Sequence, residues 1–241
     1  MEQWLYQKMY HLEDDHWWFA ARREIIKTFL KGLSLPASPR LVEIGSGTGG
    51  NLAMLAKFGQ VDAIEPNAEG RQYITKRGFS VQNGMLPDNV PLLPESIDVI
   101  AMLDVLEHVT EDAASLKTVY NLLKKNGYAV LTVPAFSFLW SYHDTQRHHH
   151  RRYTKKHLES LCLEAGFHIK KISYYNTILF PLIATIRLYN SIFKKNHGSD
   201  DKMPPLWINK ILKTVFASER YWLKRGNFPA GVSLVVVLQK K

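Results

Sequence analysis

The sequence predicts an α/β fold on a largely parallel sheet, and three observations carry that reading. Arg40–Leu52, RLVEIGSGTGGNL, runs from apolar, partly β-branched residues through four glycines in six positions into helix-spaced leucines. Short apolar runs then recur between helical stretches: Val61–Ile64, Phe79–Gln82, Ser96–Leu103, Tyr128–Val133, Phe167–Tyr175 and Gly231–Gln239. The 241 residues are 46% hydrophobic, enough for a full core in one large domain.

Met1–Leu30 reads as one or two helices, densest at His16–Ile26, HWWFAARREII. Trp17, Trp18 and Phe19 are too much aromatic surface to leave in water. They either pack on the core or form a lid over a pocket, with Arg22 and Arg23 at its rim. Gly32–Pro39 breaks the helix and leads into the first strand.

The strand, glycine turn and following helix (Asn51–Phe58) form a nucleotide-binding corner, where helix N–H groups face a ligand. Gly45, Gly47 and Gly50 satisfy the dinucleotide pattern G-x-G-x-x-G. Gly45, Gly47 and Gly49 equally satisfy G-x-G-x-G. Glu43, two residues before the first glycine, separates the two readings. A carboxylate there repels a pyrophosphate and attracts a cationic ligand, directly or through water. S-adenosylmethionine carries an ammonium and a sulfonium and no phosphate. On these residues the stretch resembles the first motif, E-x-G-x-G-x-G, of the class I S-adenosylmethionine-dependent methyltransferases. An NAD-dependent oxidoreductase and a catalytically inactive nucleotide-binding module stay open as alternatives.

Glu65 ends the second strand about twenty residues past the glycines, where a doubly wound fold places its ribose-binding acid. A carboxylate accepts from two vicinal hydroxyls at once. Pro66 and Asn67 turn the chain into a helix through Arg77. After the third strand the family commonly has an acid for the adenine amine. This chain has Asn83, Gly84 and Met85 at that end instead, and the backbone N–H groups of Met85 or Leu86 are expected to contact the ring.

IDVIAMLDVLEHV, ending at Val109, resembles the family's fourth motif, which follows the cofactor and faces the acceptor. The resemblance gives Asp104 to the cofactor and His108 to the acceptor. The N-P-P-Y or D-P-P-Y run of DNA amino-methylases is lacking. Asp112–Lys125 is an amphipathic helix, and Asn126–Gly127 turns into the fifth strand.

Pro134–Tyr153, PAFSFLWSYHDTQRHHHRRY, follows a strand's C-terminal end, where open α/β sheets place ligands. His143 is the expected general base, with Asp144 nearby, and His149 sits in an H-x-R-R-Y pattern. Trp18, Trp140, Arg152 and Tyr153 are assigned to the acceptor. His148–His150 are expected to hold no metal, because adjacent side chains diverge and a second ligand cluster is lacking. This loop and the N-terminal H-W-W-F run resemble one subset of the family over nearly the whole chain. That implies a Rossmann-like seven-stranded methyltransferase sheet with an N-terminal helical lid and a helical insertion before the last strand.

Thr154–Ala165 is a capped helix ended by Gly166. In this class the last strand is antiparallel and inserts between the fifth and sixth. The organisation is thus one domain: a lid over 1–39, a cofactor-binding core over 40–175, a helical insertion over 176–229 and the last strand over 230–241. Inside the insertion, Ile178–Phe193 is apolar but too short to span a membrane. Gly198–Pro205 reads as a polar linker and Leu206–Leu223 as a second amphipathic helix.

Charge is uneven. Residues 1–150 hold 14 Lys and Arg against 17 Asp and Glu, a balance of −3; residues 151–241 hold 17 against 5, or +12, which gives the net +9. The basic half fits an anionic partner, and its aromatic-bearing helices fit either a cap or an anionic membrane surface. No nucleic-acid-binding module is recognisable, so no such partner is expected. One cysteine, Cys162, excludes an internal disulfide, and with no apolar signal segment visible the cytoplasm is the expected compartment. The expected function is S-adenosylmethionine-dependent methyl transfer to a small-molecule or amphiphilic acceptor, lipid-linked or quinone-like, at oxygen with a histidine base. The oligomeric state is not legible.

Overall fold

A computed structural model describes residues 3–193 and 202–241. The chain begins with α1 (Gln3–Leu12) and α2 (Trp17–Leu30), then β1 (Arg40–Ile44), α3 (Leu52–Leu55), β2 (Gln60–Ile64), α4 (Ala68–Lys76), β3 (Val81–Gln82) and β4 (Ile97–Leu103). After α5 (Asp112–Leu122) and β5 (Leu123–Pro134) come α6 (Tyr142–Gln146), α7 (Lys155–Glu164), β6 (His168–Tyr175), α8 (Phe180–Ile192), α9 (Leu206–Leu223) and β7 (Ser233–Gln239).

The strands form one seven-stranded sheet in the order β3-β2-β1-β4-β5-β7-β6. β1 pairs in parallel with β2 and β4, and β7 runs antiparallel to both β5 and β6. The strand inserted last therefore sits where the sequence placed it. β4 is buried at every position, as a central strand covered on both faces must be. One face packs on Leu116, Val119, Leu158 and Leu161 of α5 and α7. The other packs on Ile25, Ile26 and Leu30 of α2 and on Phe216 of α9.

Three boundaries differ from the sequence reading. The helix expected over Asn51–Phe58 is only the single turn of α3, because the chain must pass Pro39 at Gly59, where a Cβ would stand 2.2 Å from the Pro39 carbonyl oxygen. The third strand shrinks to two residues at the sheet edge. The Asn126–Gly127 turn is absorbed into β5: Asn126 takes a left-handed φ of 66°, and the pairing with β4 shifts register between Ile97 and Val99. The linker expected over Gly198–Pro205 lies partly outside the described residues.

The C-terminal helices are stitched to the N-terminal ones. Asn209 of α9 accepts from the Trp17 N–H at 2.8 Å and donates to the Asp15 carbonyl at 2.9 Å. Trp17 meets Phe216 edge-on and also borders a cavity, so the first tryptophan of the HWWF run both packs on α9 and lines that cavity. Glu219, buried in α9, accepts from the N–H groups of Thr177 and Ile178, fixing where the chain leaves β6 for α8.

Candidate functional site

The C-terminal ends of β1, β2, β4 and β5 open into one cavity of about 770 Å³, roofed by α1 and α2. That volume suits a nucleoside-sized ligand together with a second small molecule. Its two ends differ in construction.

The first end is the glycine cradle. Gly45 has φ 73°, and a Cβ there would press on Val105 at 2.7 Å. Gly47 has φ 57°, and a Cβ there would meet only the Met9 side chain, at 3.6 Å, so the backbone is open to an incoming ligand. Glu65 lies between cradle and lid. Its carboxylate accepts from Gly47 N–H at 2.8 Å, Asn67 N–H at 3.0 Å and the Tyr6 hydroxyl at 3.2 Å. Burial raises its pKa. A carboxylate offers about four acceptor positions, so one remains, and a ligand hydroxyl can displace Tyr6 for another. Ser46, Pro66, Gly84 and Met85 line the same end, and Met85 is largely exposed.

Glu43 does not line the cavity. It is buried behind the cradle, where Oε1 accepts from Asn51 at 2.7 Å and Oε2 has no hydrogen-bond partner among the described residues. Burial pushes its pKa up to about 8, against the Asn51 hydrogen bond. Of the two routes expected from sequence, direct contact with a ligand is corrected, since only Asn51, which Glu43 binds, reaches the cavity. Gly49 (φ 84°) turns the chain against Ile74 and Leu52 rather than towards a ligand, and the Asn83 carbonyl faces Arg71 at 3.2 Å. Neither residue lines the cavity.

The lid closes on the cradle through polar links that sequence reasoning missed. Glu13 accepts from the Thr48 hydroxyl, and from Arg77 at 3.0 Å. Arg22, expected at the rim, is instead buried: it pairs with Asp104 and lies 4.7 Å from the Trp18 ring centroid. Asp104 lines the cavity in a left-handed conformation, φ 61°, that is uncommon outside glycine. A charged residue amid the apolar periodicity of α2 was the available signal for a buried ion pair.

The second end gathers His143, Arg147, His148, His149, His150 and Arg152 opposite Glu107 and His108. Its anchor is Asp144, fully buried. Both Asp144 oxygens accept from Arg152, at 2.8 Å each; Oδ1 also faces His149 Nδ1 at 2.9 Å, and Oδ2 takes the Ser141 N–H. Burial alone would raise the Asp144 pKa, but the His149 and Arg152 hydrogen bonds overcome it and hold the group ionised. An ionised carboxylate only accepts, so His149 Nδ1 is the donor in this pair. Asp144 was expected beside His143; its partner is His149. Arg152 lines the cavity but is committed to Asp144, which makes it a positioning group.

Tyr153 and Trp140 are corrected as acceptor contacts. Tyr153 is fully buried, its hydroxyl donating to Asp112 at 3.0 Å, and it does not line the cavity. Trp140 donates to Thr145 at 3.3 Å outside the cavity lining. Trp18 and His108 do line it. Burial, then His149 and Arg147, lowers the His108 pKa to about 3. Glu107 was missed altogether. It is 0% exposed, both its oxygens lack a hydrogen-bond partner among the described residues, and burial followed by the Asp104 charge raises its pKa well above the carboxylate range. The His150 N–H donates to the Glu107 carbonyl at 2.8 Å, and Arg151 binds Asp112 at 2.7 Å. These links bring the histidine loop onto the Glu107 turn.

A family model described as a methyltransferase domain matches residues 16–172. Among solved structures, the chain resembles a protein in the complex between the Haloferax volcanii Trm112 methyltransferase activator and a methyltransferase, with TM-score 0.63, 16% identity and coverage of 98% of this chain and 94% of that one. It resembles a SAM-dependent methyltransferase of Thermotoga maritima with TM-score 0.62 and 21% identity over 100% of both chains. It also resembles Haemonchus contortus phosphoethanolamine N-methyltransferase 2, solved with S-adenosyl-L-methionine, with TM-score 0.58 and 15% identity over 90% of this chain and 52% of that one. At these identities the likeness is one of fold. No curated protein matches by sequence.

Proposed function

The chain belongs to the methyltransferase-domain family, and from that premise we propose a methyl transfer to an acceptor hydroxyl held at the histidine end of the cavity. It is a class I S-adenosylmethionine-dependent methyltransferase. The hydride-transfer and inactive-module readings of the glycine pattern accordingly fall away. The observation that carries the rest is that one cavity joins a glycine and carboxylate cradle to an imidazole-lined end.

The cradle residues fit the cofactor. Glu65 has acceptor capacity for ribose hydroxyls, the Gly47 backbone is open, and Asn51 and Asp104 offer oxygens for the ammonium end. Gly84 and Met85 border the adenine position. When bound, the cofactor supplies an electrophilic methyl group. The chain's own contribution is chiefly alignment: holding the acceptor oxygen in line at near-attack distance accounts for much of the rate. The Asp144–Arg152 pair fixes His149, and Trp18 and the lid exclude water above it. His143, which lines this end, would take the proton of the acceptor hydroxyl during the transfer.

The acceptor is amphiphilic in this reading. Ile183, Ile186 and Arg187 of α8 line the cavity, while Leu182 and Tyr189 of the same helix are exposed. Leu206, Trp207, Ile211 and Trp222 of α9 are exposed as well. With the +12 balance of residues 151–241, these helices suit an anionic lipid surface from which an acceptor enters beside α8. No helix among the described residues is long and apolar enough to cross a membrane. The test is methyl transfer from labelled S-adenosylmethionine to paired amphiphiles differing only in a hydroxyl or an amine. Label on the hydroxyl member supports the reading; label on the amine alone overturns oxygen methylation.

A further inference from the structure

We propose that Glu107, His108 and His149 bind a divalent first-row transition-metal ion at the acceptor end, where the ion takes the acceptor oxygen as a further ligand. Their ligand atoms all lie within 4.8 Å of one another and the three side chains line the cavity. Ligands about 2.1 Å from one tetrahedral ion stand about 3.4 Å apart, so binding draws the three ends together by small side-chain rotations.

Two independent features point to a cation. Glu107 is a fully buried carboxylate whose two oxygens have no hydrogen-bond partner among the described residues. A buried carboxyl without a hydrogen-bond partner is costly, and an ion bound by its oxygens removes that cost. His149 is already oriented: its Nδ1 faces Asp144 Oδ1 at 2.9 Å, which leaves Nε2 as the ring nitrogen not committed to that carboxylate. Metal-binding histidines characteristically have a carboxylate behind them in this way, and here Arg152 holds that carboxylate in turn. Two imidazoles and one carboxylate favour Mn²⁺, Fe²⁺, Co²⁺ or Zn²⁺ over the all-oxygen sites of Mg²⁺ and Ca²⁺.

Consecutive residues rarely converge on an ion. Glu107 and His108 are adjacent in a short 3-10 turn, Leu106–His108, and their ligand atoms nonetheless lie within 4.8 Å of each other. The third ligand comes from a loop that the His150 backbone bond ties to the same turn. The ion's role rests on the methyl-transfer reading above: a hydroxyl on the ion is more acidic, loses its proton to His143, and attacks the methyl carbon as sulfur recovers the bonding pair.

The site is tested on the full chain after chelator dialysis, without cofactor or acceptor, by calorimetry with MnCl₂ and with ZnCl₂ and by pulsed EPR of the Mn²⁺ sample. One equivalent bound, with nitrogen couplings from imidazole, is expected. Glu107→Gln and His149→Ala each weaken binding at least tenfold, while His168→Ala, an exposed histidine at the start of β6, leaves it unchanged. S-adenosylhomocysteine affinity is measured on every variant as a check of folding. No saturable binding, or Mn²⁺ binding without nitrogen coupling, overturns the site even if a variant fails to fold. Metal binding with no affinity for S-adenosylhomocysteine keeps the site and overturns the methyl-transfer reading instead.

Discussion

The two ends of the cavity are built by opposite means. At the cradle each contributing residue lies at or just after its own strand end: Gly45 and Gly47 after β1, Glu65 after β2, Asp104 after β4. Parallel pairing puts those ends side by side, so strand spacing alone locates the site. At the histidine end the partners are set by loops: Glu107 of one turn lies beside His149 of another, tied by the His150 backbone bond, and Asp144 meets Arg152 within the second. The cradle depends on sheet register. The histidine end depends on one buried carboxylate.

The comparison can be broken most sharply through catalysis. His143→Ala should lower turnover by ~10²–10⁴ while S-adenosylhomocysteine affinity stays as it is, because only the far end is touched. Single-turnover rates and calorimetry on the same preparation check both halves. Full activity at every pH would place the proton elsewhere.

Next in size is the anchor itself. Asp144→Ala leaves the Arg152 guanidinium buried without its carboxylate, at a cost of about 3–5 kcal/mol. In a chain of this size each kcal/mol lowers Tm by about 2–4 °C, so a fall of roughly 6–20 °C is expected in a calorimetric scan. A fall within 2 °C would show that the loop does not hang on this pair.

Glu43 tests the cradle's foundation. Its folded pKa of about 8 lies above its ordinary 4.5, so between those values the folded chain keeps a proton that the unfolded chain has lost. Stability from this group is present at low pH and declines as pH rises through that window. Arg22 opposes the shift, while Glu13 and Glu65 reinforce it. Glu43→Gln should remove a pH-dependent term on the order of 3–5 kcal/mol. Urea unfolding at pH 5 and pH 8 for both proteins isolates it, and equal pH slopes would refute the assignment.

This contrast explains what was legible in the sequence. The fold and the cradle could be read because a strand-turn-helix corner is local and its glycines and acids are spaced by the strands. Even there, Glu43 was misplaced: spacing gives sequence position, not whether a carboxylate faces the ligand or the sheet. At the histidine end composition was legible and pairing was not. Asp144 is adjacent to His143 in sequence, yet the helical turn of α6 sends it towards His149 and Arg152. Glu107 stood in plain view in DVLEHV, but that its oxygens lack a hydrogen-bond partner among the described residues appears only once the chain is folded.

A smaller effect sharpens the cradle. Glu65→Ala removes charge-assisted bonds worth about 1.5–3 kcal/mol each to the ribose. S-adenosylhomocysteine should bind about a hundredfold more weakly, or about 2.8 kcal/mol. The fold should persist, since the N–H groups of Gly47 and Asn67 can turn to water. An unchanged dissociation constant would show that the ribose sits elsewhere.

The smallest effect concerns what lies outside both ends. If α8 and α9 rest on anionic lipid, the inserted residues are the outward ones. Ile183 lines the cavity and Phe180 lies near Phe136, so neither is a probe of the outer face. Trp207 is 67% exposed and Leu182 57%, on different helices. Removing one such side chain from an interface costs about 1.5–3 kcal/mol at full burial, and less at partial depth. Trp207→Ser should therefore weaken binding to anionic vesicles about tenfold, as should Leu182→Ser. Raising salt should weaken wild type and variants alike, because it screens only the basic term. Co-sedimentation with anionic and neutral vesicles at two salt concentrations reads both terms. If wild type stays in the supernatant throughout, these helices are a cap, and the acceptor reaches the histidine end from water.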